Sequence, residues 1–389
     1  MSGAHVVLGL SVILLGYTYL GYPLLLWIWS ALRPRVPGRG HLDPFVSVLV
    51  VAYNEAGRIA GRLENLLALD YPWDRVEIVL ASDGSTDDTI ARARAYERAG
   101  VAVIPFRIRR GKTAVLNELI PRARGEIVVL ADARQRFEPG VLRALTSPFA
   151  DPGVGAVSGE LILTGGAKGP AVGKGVGFYW HYEKFIRRKE SLVDSTIGVT
   201  GAIYALRREL FQLIPDETIL DDVLIPMRIA RQGYRVLFAP GARAYDPVAT
   251  KASVEFERKV RTIAGTFQLF AREPWLLNPL ENRLWIQAVS HKLLRLLCPI
   301  GLASAFGANL FLLHQPAFGW LLAAQIVFYA ASLGGSALRN STKGVFLLSV
   351  PYTFCFLNWA VVVACHRFIT GRQRVTWEKT HRGESPVGS

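Results

Sequence analysis

Acidic side chains follow three apolar stretches in the first third of the chain. Glu55 comes after the run FVSVLVVAYN, Asp83 ends VEIVLASD, and Asp132 ends EIVVLAD. Short apolar, β-branched runs are typical of buried strands, and ligands of parallel sheets bind beyond the carboxyl ends of the strands. We therefore expect these three carboxylates to meet in one crevice, although each alone could also cap the helix that follows it.

Converging carboxylates suit a ligand that carries a divalent cation, because Mg²⁺ and Mn²⁺ prefer hard oxygen donors and share phosphate oxygens with protein carboxylates. A nucleoside diphosphate sugar is such a ligand, and nearby cations must take up negative charge as its diphosphate leaves. The basic run RIRRGK, with Arg109, Arg110 and Lys112, could serve these phosphates. For the two arginines, a solvated loop that touches lipid headgroups is an equally good interpretation.

The elements that position these residues lie between Pro44 and about Pro279. Alternating apolar runs and amphipathic stretches predict strands at 45–53, 76–82, 101–106 and 126–131, and helices at 59–69, 87–99 and 113–122. Strands that alternate with helices indicate a parallel α/β sheet covered on both faces. The sequence has neither a Walker-type GxxxxGK[ST] motif nor GxGxxG after the first strand, which argues against ATPases and dinucleotide enzymes.

Apolar segments at both ends of the chain predict an integral membrane protein. Residues 6–29 form a charge-free run long enough to cross a bilayer, and Arg33, Arg35 and Arg39 follow it at once. By the positive-inside rule, these arginines place the next domain on the cytoplasmic side of a bacterial-type inner membrane.

The chain turns apolar again after about residue 284. Residues 284–297 mix basic residues with Trp and Leu, as interfacial helices do, and three further spans are predicted at 298–313, 318–338 and 345–365. Three spans after a cytoplasmic domain leave the basic tail, residues 372–382, on the outer side, against the positive-inside rule. A re-entrant segment would remove this conflict, and so would an exceptional tail.

The composition agrees with a membrane protein. The hydrophobic fraction is 51%, the mean hydropathy is +0.25 and the net charge is +14. Basic flanks that meet anionic headgroups explain part of this charge, and the sequence has no zinc-ligand, helix-turn-helix or RNA-binding pattern, so no nucleic-acid partner is expected. The three cysteines, Cys298, Cys355 and Cys365, all lie in predicted spans and are expected to be reduced.

Taken in order, the motifs resemble the membrane-bound family 2 glycosyltransferases, the branch with cellulose, hyaluronan and poly-N-acetylglucosamine synthases. The resemblance covers residues 44–280 and rests on VSVLVVAYNE, ASDGSTDDT, GKTAVLN, VLADA, VTGAIYALRREL and LDDVLIPMRIARQGYRVLFAP. It implies a GT-A-like, Rossmann-type mixed sheet flanked by transmembrane helices. The expected domains are an anchor with a basic linker (1–40), the cytoplasmic GT-A domain (41–280), the interfacial helix with three spans (281–370) and a basic tail (371–389).

The resemblance also implies a set of donor-binding residues. They are Tyr53, Glu55, Asp83, Ser85, Lys112, Asn117 and Asp132. The first two would hold the base and ribose, and Asp83 would contact the uracil or ribose. Lys112 and Asn117 would lie beside the diphosphate. Asp132 matches the first aspartate of the family's DxD motif and would bind the divalent cation.

The implied reaction is an inverting displacement at the anomeric carbon, which needs a carboxylate to take the proton of the acceptor hydroxyl. Asp222 matches the aspartate of the family's ED pair and is expected to be this base, with Asp221 in the glutamate's place. Both could instead cap the helix that begins there. Gly201, Arg258 and Arg261 are expected on the acceptor side.

Three segments depart from the pattern or match it weakly. The second aspartate of DxD is Arg134, so either the cation depends on Asp132, phosphates and water, or Arg134 itself faces the diphosphate. The QxxRW segment of processive enzymes reads RKVRT at 258–262, which keeps an arginine but lacks the tryptophan that stacks on the acceptor sugar. A basic amphipathic helix at the membrane surface is the alternative there. VTWEKTHR at 375–382 resembles donor-closing loops, and a disordered tail is the alternative.

The sequence therefore predicts a membrane glycosyltransferase that passes a sugar from a nucleotide-sugar donor, expected to be a UDP-sugar, to a glycan or lipid-linked acceptor. Polysaccharide synthesis is one setting for this reaction. A non-catalytic, nucleotide-sugar-binding partner of a polysaccharide synthase is the alternative that Arg134 favours. A phosphoryl transferase acting on polyprenyl phosphate would also explain the spans and the charge, but the sequence has no phosphate-cradling motif for it.

Overall fold

The computed structural model describes residues 2–38, 40, 42–164, 171–247, 252–337 and 346–373. The strands are β1 Val46–Ala52, β2 Val76–Asp83, β3 Val101–Phe106, β4 Ile127–Asp132, β5 Arg136–Phe137, β6 Val154–Thr164, β7 Ile203–Arg207 and β8 Arg235–Pro247. The helices are α1 Gly3–Leu32, α2 Ile59–Leu67, α3 Thr89–Arg94, α4 Lys112–Arg122, α5 Val141–Thr146, α6 Ala171–Val193, α7 Asp221–Arg231, α8 Ala252–Arg272, α9 Trp285–Phe311, α10 Pro316–Ala337 and α11 Phe346–Ile369. The tail segment 375–382 lies outside the described residues.

The eight strands form one mixed sheet in the order β3-β2-β1-β4-β7-β6-β8-β5. The first four strands are parallel to one another, whereas β7 runs antiparallel to both β4 and β6. The four predicted strands agree with β1 to β4 to within one residue at each end. This agreement follows from their composition, because β1, β2 and β4 are short, β-branched runs that are mostly buried, and β3 is a short apolar run at the edge of the sheet.

The buried runs serve two cores, one on each face of the sheet. Val128 and Leu130 of β4 pack into one hydrophobic cluster, and Ile127, Val129 and Ala131 pack into the other. Successive side chains of a strand point to opposite faces, so an unbroken apolar run requires cover on both. The predicted two-sided α/β arrangement is therefore confirmed.

One predicted helix is shorter than expected. The stretch 87–99 contains α3, which begins only at Thr89, and a separate 3₁₀ turn, Glu97–Ala99. The Asp87 carboxylate accepts a hydrogen bond from the Thr89 N–H at 3.0 Å, and this side-chain bond holds the chain in a turn just before the helix. Gly100, with φ of 91°, then ends the turn before β3.

Among the described residues, four helices are long and apolar enough to cross a membrane, by length and composition: α1, α9, α10 and α11. The predicted interfacial helix at 284–297 is not a separate element. Residues 285–297 are the first turns of α9, which continues through a π-helical segment, Ala288–Leu293, to Phe311. Two of its basic residues, His291 and Arg295, have buried partners on α6, so this segment packs against protein.

Buried charges join α6 to α9. His291 Nδ1 lies 2.8 Å from Glu190 Oε1, and His291 Nε2 lies 3.0 Å from Glu183 Oε2. Arg295 pairs with Glu183, and the Tyr22 hydroxyl of α1 donates to Glu190 at 2.6 Å. We call these five residues the α6–α9 clamp. It connects the sheet domain to two of the candidate membrane helices.

Candidate active site

Side chains connect the loops that follow β1 and β2. The Asn54 N–H donates to Ser85 Oγ at 3.0 Å, and Asn54 Oδ1 accepts from the Thr86 N–H at 2.8 Å. Asn54 has φ of 53°, a left-handed conformation that asparagine adopts more readily than most residues. The two strand ends therefore meet as the sequence predicts, and Ser85 links them.

Tyr53 and Glu55 flank this junction. The Arg109 guanidinium lies 3.8 Å from the centre of the Tyr53 ring, within cation–π distance. Glu55 pairs with Arg58 at 3.7 Å, and its N–H donates to Thr89 Oγ1 at 2.8 Å. The basic loop after β3 thus folds back over the end of β1, where the base of a nucleotide is expected.

Asp83, at the end of β2, organises the loop before α4. Its Oδ1 accepts from the Arg110 N–H at 2.7 Å, and its Oδ2 accepts from the Gly111 N–H at 2.9 Å. A side chain on Gly84 would put Cβ 2.5 Å from the Arg109 nitrogen, so the loop approaches the strand end very closely. Asp83 is 3% exposed, and its observed role is to fix the backbone that leads to Lys112.

Lys112 joins two of the aspartates at the centre of the site. Its Nζ lies 3.0 Å from Asp132 Oδ1, at the end of β4, and 3.6 Å from Asp221 Oδ2, at the start of α7. Burial alone would lower the pKa of Lys112, but the two carboxylates outweigh it and raise the pKa above its usual range. The lysine is therefore a permanent cation, with donor capacity left for an anion.

Asp221 and Asp222 occupy the first turn of α7. The residue before them, Leu220, makes no side-chain cap bond, so neither aspartate stands at the capping position. Carboxylates in a first turn lie at the positive end of the helix dipole. The capping alternative is therefore not what the structure shows.

Asp222 is held by the chain segment before β7. Its backbone carbonyl accepts from the Val199 N–H at 2.8 Å, and its Oδ2 lies 2.9 Å from the position that a Cβ on Gly201 would take. Burial and the adjacent Asp221 raise the pKa of Asp222 to about 6, against an opposing effect of Lys112. A carboxylate with this pKa is ionised at neutral pH and basic enough to accept a proton.

The two arginines predicted on the acceptor side have different surroundings on α8. Burial lowers the pKa of Arg261, and Asp221, Asp222 and Asp132 oppose this effect, so Arg261 lies in the field of all three carboxylates. Arg258 instead pairs with Glu255 at 3.9 Å. Of the two, the structure brings Arg261 to the aspartates.

Tyr204 is a site residue that the sequence does not predict. It lies in β7 opposite Leu130, is fully buried, and its hydroxyl has no hydrogen-bond partner among the residues that the structure describes. Burial, followed by Asp221 and Asp222, raises the pKa of Tyr204 far above its usual range. The only hint in the sequence is a tyrosine hydroxyl within the apolar run AIYAL. It points to the site only once β7 is known to lie beside β4.

Two residues expected near the diphosphate are bound elsewhere. The Asn117 amide donates to Ile214 O at 2.7 Å and to Asp216 Oδ1 at 2.9 Å, which fixes the segment before α7. Arg134 donates to Asp246 Oδ2 of β8 at 2.6 Å. In this structure both side chains support neighbouring loops, and the geometry lends no support to a donor contact for either.

Few side chains of the site could act as ligands of a divalent cation. Within the described ranges, no group of three or more His, Cys, Asp or Glu residues could hold a metal ion. Asp132 is 39% exposed and shares Oδ1 with Lys112, which leaves Oδ2 for one further ligand. These residues fit a cation that arrives with phosphate oxygens, because the protein alone supplies a single carboxylate.

Replacing Gly201 by alanine should lower turnover. The added Cβ would lie 2.9 Å from Asp222 Oδ2, so the carboxylate must turn away, and a displacement of about 1 Å can cost roughly a hundredfold in rate. Initial rates at saturating donor measure this. Gly61→Ala is the matched control, because its Cβ enters open space on α2. Equal rates for Gly201→Ala and wild type would contradict the close packing.

Replacing Tyr204 by phenylalanine should leave thermal stability unchanged or raise it. The change removes a buried hydroxyl that has no partner in the described structure, and such a group costs about 1–3 kcal/mol. Tyr71→Phe is the control, because its hydroxyl donates to Pro44 O at 2.7 Å and its loss should lower the midpoint. Thermal unfolding in detergent compares the two. A larger loss for Tyr204→Phe would show that its hydroxyl is bonded in the folded enzyme.

Comparison with curated proteins identifies relatives of this chain. Residues 47–214 match the family model of Glycosyl transferase family 2. A beta-monoglucosyldiacylglycerol synthase from Nostoc sp. is 25% identical over 365 residues, which cover 87% of this chain and 77% of that protein. A poly-beta-1,6-N-acetyl-D-glucosamine synthase from Staphylococcus epidermidis is 23% identical over 236 residues, 59% of this chain and 56% of that protein.

Among solved structures, a mannosyltransferase from Pyrobaculum calidifontis, in complex with GDP-Man and Mn²⁺, superposes with a TM-score of 0.71 at 23% identity. The match covers 94% of this chain and 99% of that chain, so the two share their fold. The GT-A fold expected from the motifs is confirmed. The chain therefore contains a family 2 glycosyltransferase domain on the GT-A fold, and it is a glycosyltransferase.

Proposed function

We propose that this enzyme is an inverting membrane glycosyltransferase that moves a sugar from a UDP-sugar to the hydroxyl of a lipid-linked or glycan acceptor. The observation that carries the proposal is Asp222, a half-buried carboxylate with a pKa of about 6, close to the cation that pairs with Asp132. The reaction would take place at the cytoplasmic face of the membrane, because the arginines after α1 favour that side for the sheet domain by the positive-inside rule.

The donor diphosphate would lie between the loops after β1, β2 and β4. Lys112 offers an ammonium that keeps its charge at any physiological pH, and Asp132 offers one free carboxylate oxygen. Asp132 would hold a divalent cation together with phosphate oxygens and water. The cation would neutralise charge on the leaving diphosphate.

The chemical step would use Asp222 as general base. The acceptor oxygen bonds to the anomeric carbon while the bond from that carbon to the diphosphate breaks, and the acceptor proton passes to Asp222. Lys112 and Arg261 would stabilise the departing negative charge, and their charge interactions with the aspartates support this role. Asp221 would increase the basicity of Asp222, because the negative charge of Asp221 raises the pKa of Asp222.

A lipid acceptor is favoured over a growing polymer. The match to the diacylglycerol-glucosylating relative extends over 87% of this chain, whereas the match to the polysaccharide synthase spans 59%. The segment at 258–262 also has no tryptophan to stack on a sugar chain. Single transfer to a lipid is therefore our proposal, and a polymer product is the outcome that would replace it.

The test uses the purified full-length chain in detergent, with a membrane lipid extract and Mn²⁺. Nucleoside diphosphate release is measured for a panel of UDP-sugars and for GDP-mannose. We expect one donor to give release that depends on the lipid extract, and a labelled product that extracts into organic solvent. Diphosphate release that yields a water-soluble polymer would overturn the lipid acceptor. If protein that unfolds cooperatively releases no nucleoside diphosphate with any donor, the proposed function is overturned.

A further inference from the structure

A cavity of about 620 Å³ lies between α2 and the segment that follows Asp132. Its described lining carries four arginines and a single carboxylate: Arg58, Arg62, Arg134, Arg136 and Glu64. Glu64 already accepts a hydrogen bond from the Tyr96 hydroxyl at 2.7 Å, and Arg134 is paired with Asp246. The lining therefore carries an excess of positive charge.

The cavity belongs to the α2 side of the sheet. Leu63 of α2 and Phe137 of β5 pack into one hydrophobic core, whereas Val223 of α7 packs into the other core, across the sheet. Lys112 and Asp222 begin or belong to helices of that other side, and neither lines the cavity. A ligand in the cavity would therefore lie apart from the proposed catalytic centre.

Arg62 is the buried cation of this cavity. It is 3% exposed, its Cζ lies 4.0 Å from the centre of the Phe137 ring, and it makes no ion pair with any residue that the structure describes. Its Nη1 donates to Asn65 Oδ1 at 3.1 Å, whereas Nε and Nη2 are buried without a hydrogen-bond partner in the described chain. These two nitrogens lie side by side, on the edge of a guanidinium that can bind two oxygens of one anion.

Asn65 fixes the position of this guanidinium. The Asn65 amide donates to Phe137 O at 2.9 Å, and its Oδ1 accepts from the Phe137 N–H at 2.7 Å, as the backbone of a neighbouring strand would. The same Oδ1 accepts from Arg62 Nη1, so α2, β5 and the guanidinium are joined at one atom. A donor that is held in place loses little conformational freedom when an anion binds to it.

The charge of Arg62 persists at neutral pH and has no paired counterion. Burial lowers the pKa of Arg62 to about 9, and the negative charge of Asp132 opposes this effect. Asp132 is already paired with Lys112 at 3.0 Å and forms no ion pair with Arg62 in the described structure. A buried charge without a partner is costly, so an anion that entered the cavity would relieve this cost.

Two exposed arginines add to the positive charge of the lining. Arg58 makes a loose ion pair with Glu55 at 3.7 Å, and Arg136 makes no ion pair within the described ranges. Together with Arg62, these side chains offer more N–H donors than the two oxygens of a carboxylate can accept. A phosphate monoester has three acceptor oxygens and a charge of about −1.5 to −2 at pH 7, so it fits this set better.

We propose that the cavity is a second anion site, which binds the phosphate group of a ligand other than the sugar donor through Arg62, Arg58 and Arg136. Because Nε and Nη2 of Arg62 are buried, the phosphate must displace the atoms that now cover them. The volume exceeds that of a phosphate ion and suits a small phosphorylated molecule or the headgroup of a lipid. The site goes beyond the proposed function and does not depend on it.

The experiment measures binding without any donor, so its result is independent of catalytic activity. The full-length enzyme in detergent is titrated with glycerol 3-phosphate, a soluble monoester, and with short-chain phosphatidic acid, a lipid monoester, at constant ionic strength. A ligand of the folded state raises the midpoint of thermal unfolding, and the concentration dependence gives Kd. We expect a saturable rise with at least one probe, and the probe with the lower Kd identifies the source as soluble or lipid.

Two results of this titration would overturn the proposal. One is a midpoint that neither probe changes. The other is a rise that disappears when UDP and Mn²⁺ are already present at saturation, because the phosphate would then occupy the donor site and not a second site.

Variants then locate the phosphate. Arg62→Met should weaken binding about tenfold or more, and without a probe it should unfold at the same or a higher temperature, because an apolar side chain replaces a buried unpaired charge. Arg136→Gln should also raise Kd, and it leaves the core intact, so it decides the matter if Arg62→Met does not fold. Arg94→Gln, at an exposed position in the last turn of α3, is the matched control and should keep the wild-type Kd. Wild-type Kd in the folded Arg62 and Arg136 variants would overturn the assignment to this cavity.

Discussion

Replacing Asp222 by asparagine lowers the rate of sugar transfer by about 10²–10⁴-fold, the contribution of a general base, while the protein stays folded. Asparagine keeps the shape of the side chain and fits the same space beside Gly201, but it cannot accept the proton. The measurement is nucleoside diphosphate release at saturating donor and acceptor. Asp74→Asn, an exposed position in the turn before β2, is the control and should be neutral. A variant that retained a tenth of the activity would exclude Asp222 as the base.

The same side chain sets the expected pH dependence. The pKa of Asp222 is about 6, so the wild-type rate should rise as the pH passes through 6 and level off above it. A carboxyl whose folded pKa is raised binds its proton more tightly in the native state, so it stabilises the fold below its unfolded pKa. This stability is lost as the pH rises through about 6. Asp222→Asn should therefore unfold at the same or a higher temperature than wild type at pH 7.5, so its lost activity would not reflect unfolding.

Replacing Lys112 by glutamine should have the second-largest effect. The change leaves Asp132 and Asp221 without the ammonium 3.0 and 3.6 Å away, and it removes a cation from the expected diphosphate site. We expect a loss of about a hundredfold or more, comparable to the removal of a preorganised electrostatic partner. Because Lys112 also lowers the pKa of Asp222, the rising limb of the pH–rate profile should move to higher pH.

Arg122→Gln is the matched control for this variant. Arg122 lies in the last turn of the same helix, is 71% exposed and pairs with Glu118, so its loss should change neither the rate nor the pH profile. A Lys112→Gln enzyme with a lower rate but the wild-type profile would show that Lys112 acts on the donor alone and has no effect on the base.

The first half of the sheet could be predicted from the sequence because each of its strands is locally defined. β1 to β4 are short, mainly apolar runs, and the acidic residues that follow or end β1, β2 and β4 lie at the same edge of the sheet, as the carboxyl ends of parallel strands must. The second half could not. β8 contains Pro240 and Gly241 and bulges where it meets β6, so it carries no continuous β pattern.

Within the site, sequence position predicted which residues approach one another but not what each side chain binds. The Asp83 carboxylate accepts hydrogen bonds from two backbone amides. Arg134 donates to Asp246, a buried aspartate that lies 112 residues away in the sequence. These partners depend on how β8 and the loop before α4 pack, and local sequence motifs do not predict that packing. Tyr204 could not be predicted for the same reason, because it joins the site only through the pairing of β7 with β4.

The α6–α9 clamp has a consequence for how the enzyme responds to its bilayer. The imidazole of His291 is held at both nitrogens by Glu183 and Glu190 of α6, so it connects the candidate membrane helix α9 rigidly to the sheet domain. A change in bilayer thickness that tilts α9 is passed to α6, and from Arg187 through Thr200 to the proposed base. We therefore expect lipid chain length, which changes the tilt of membrane helices, to change the rate of the reaction.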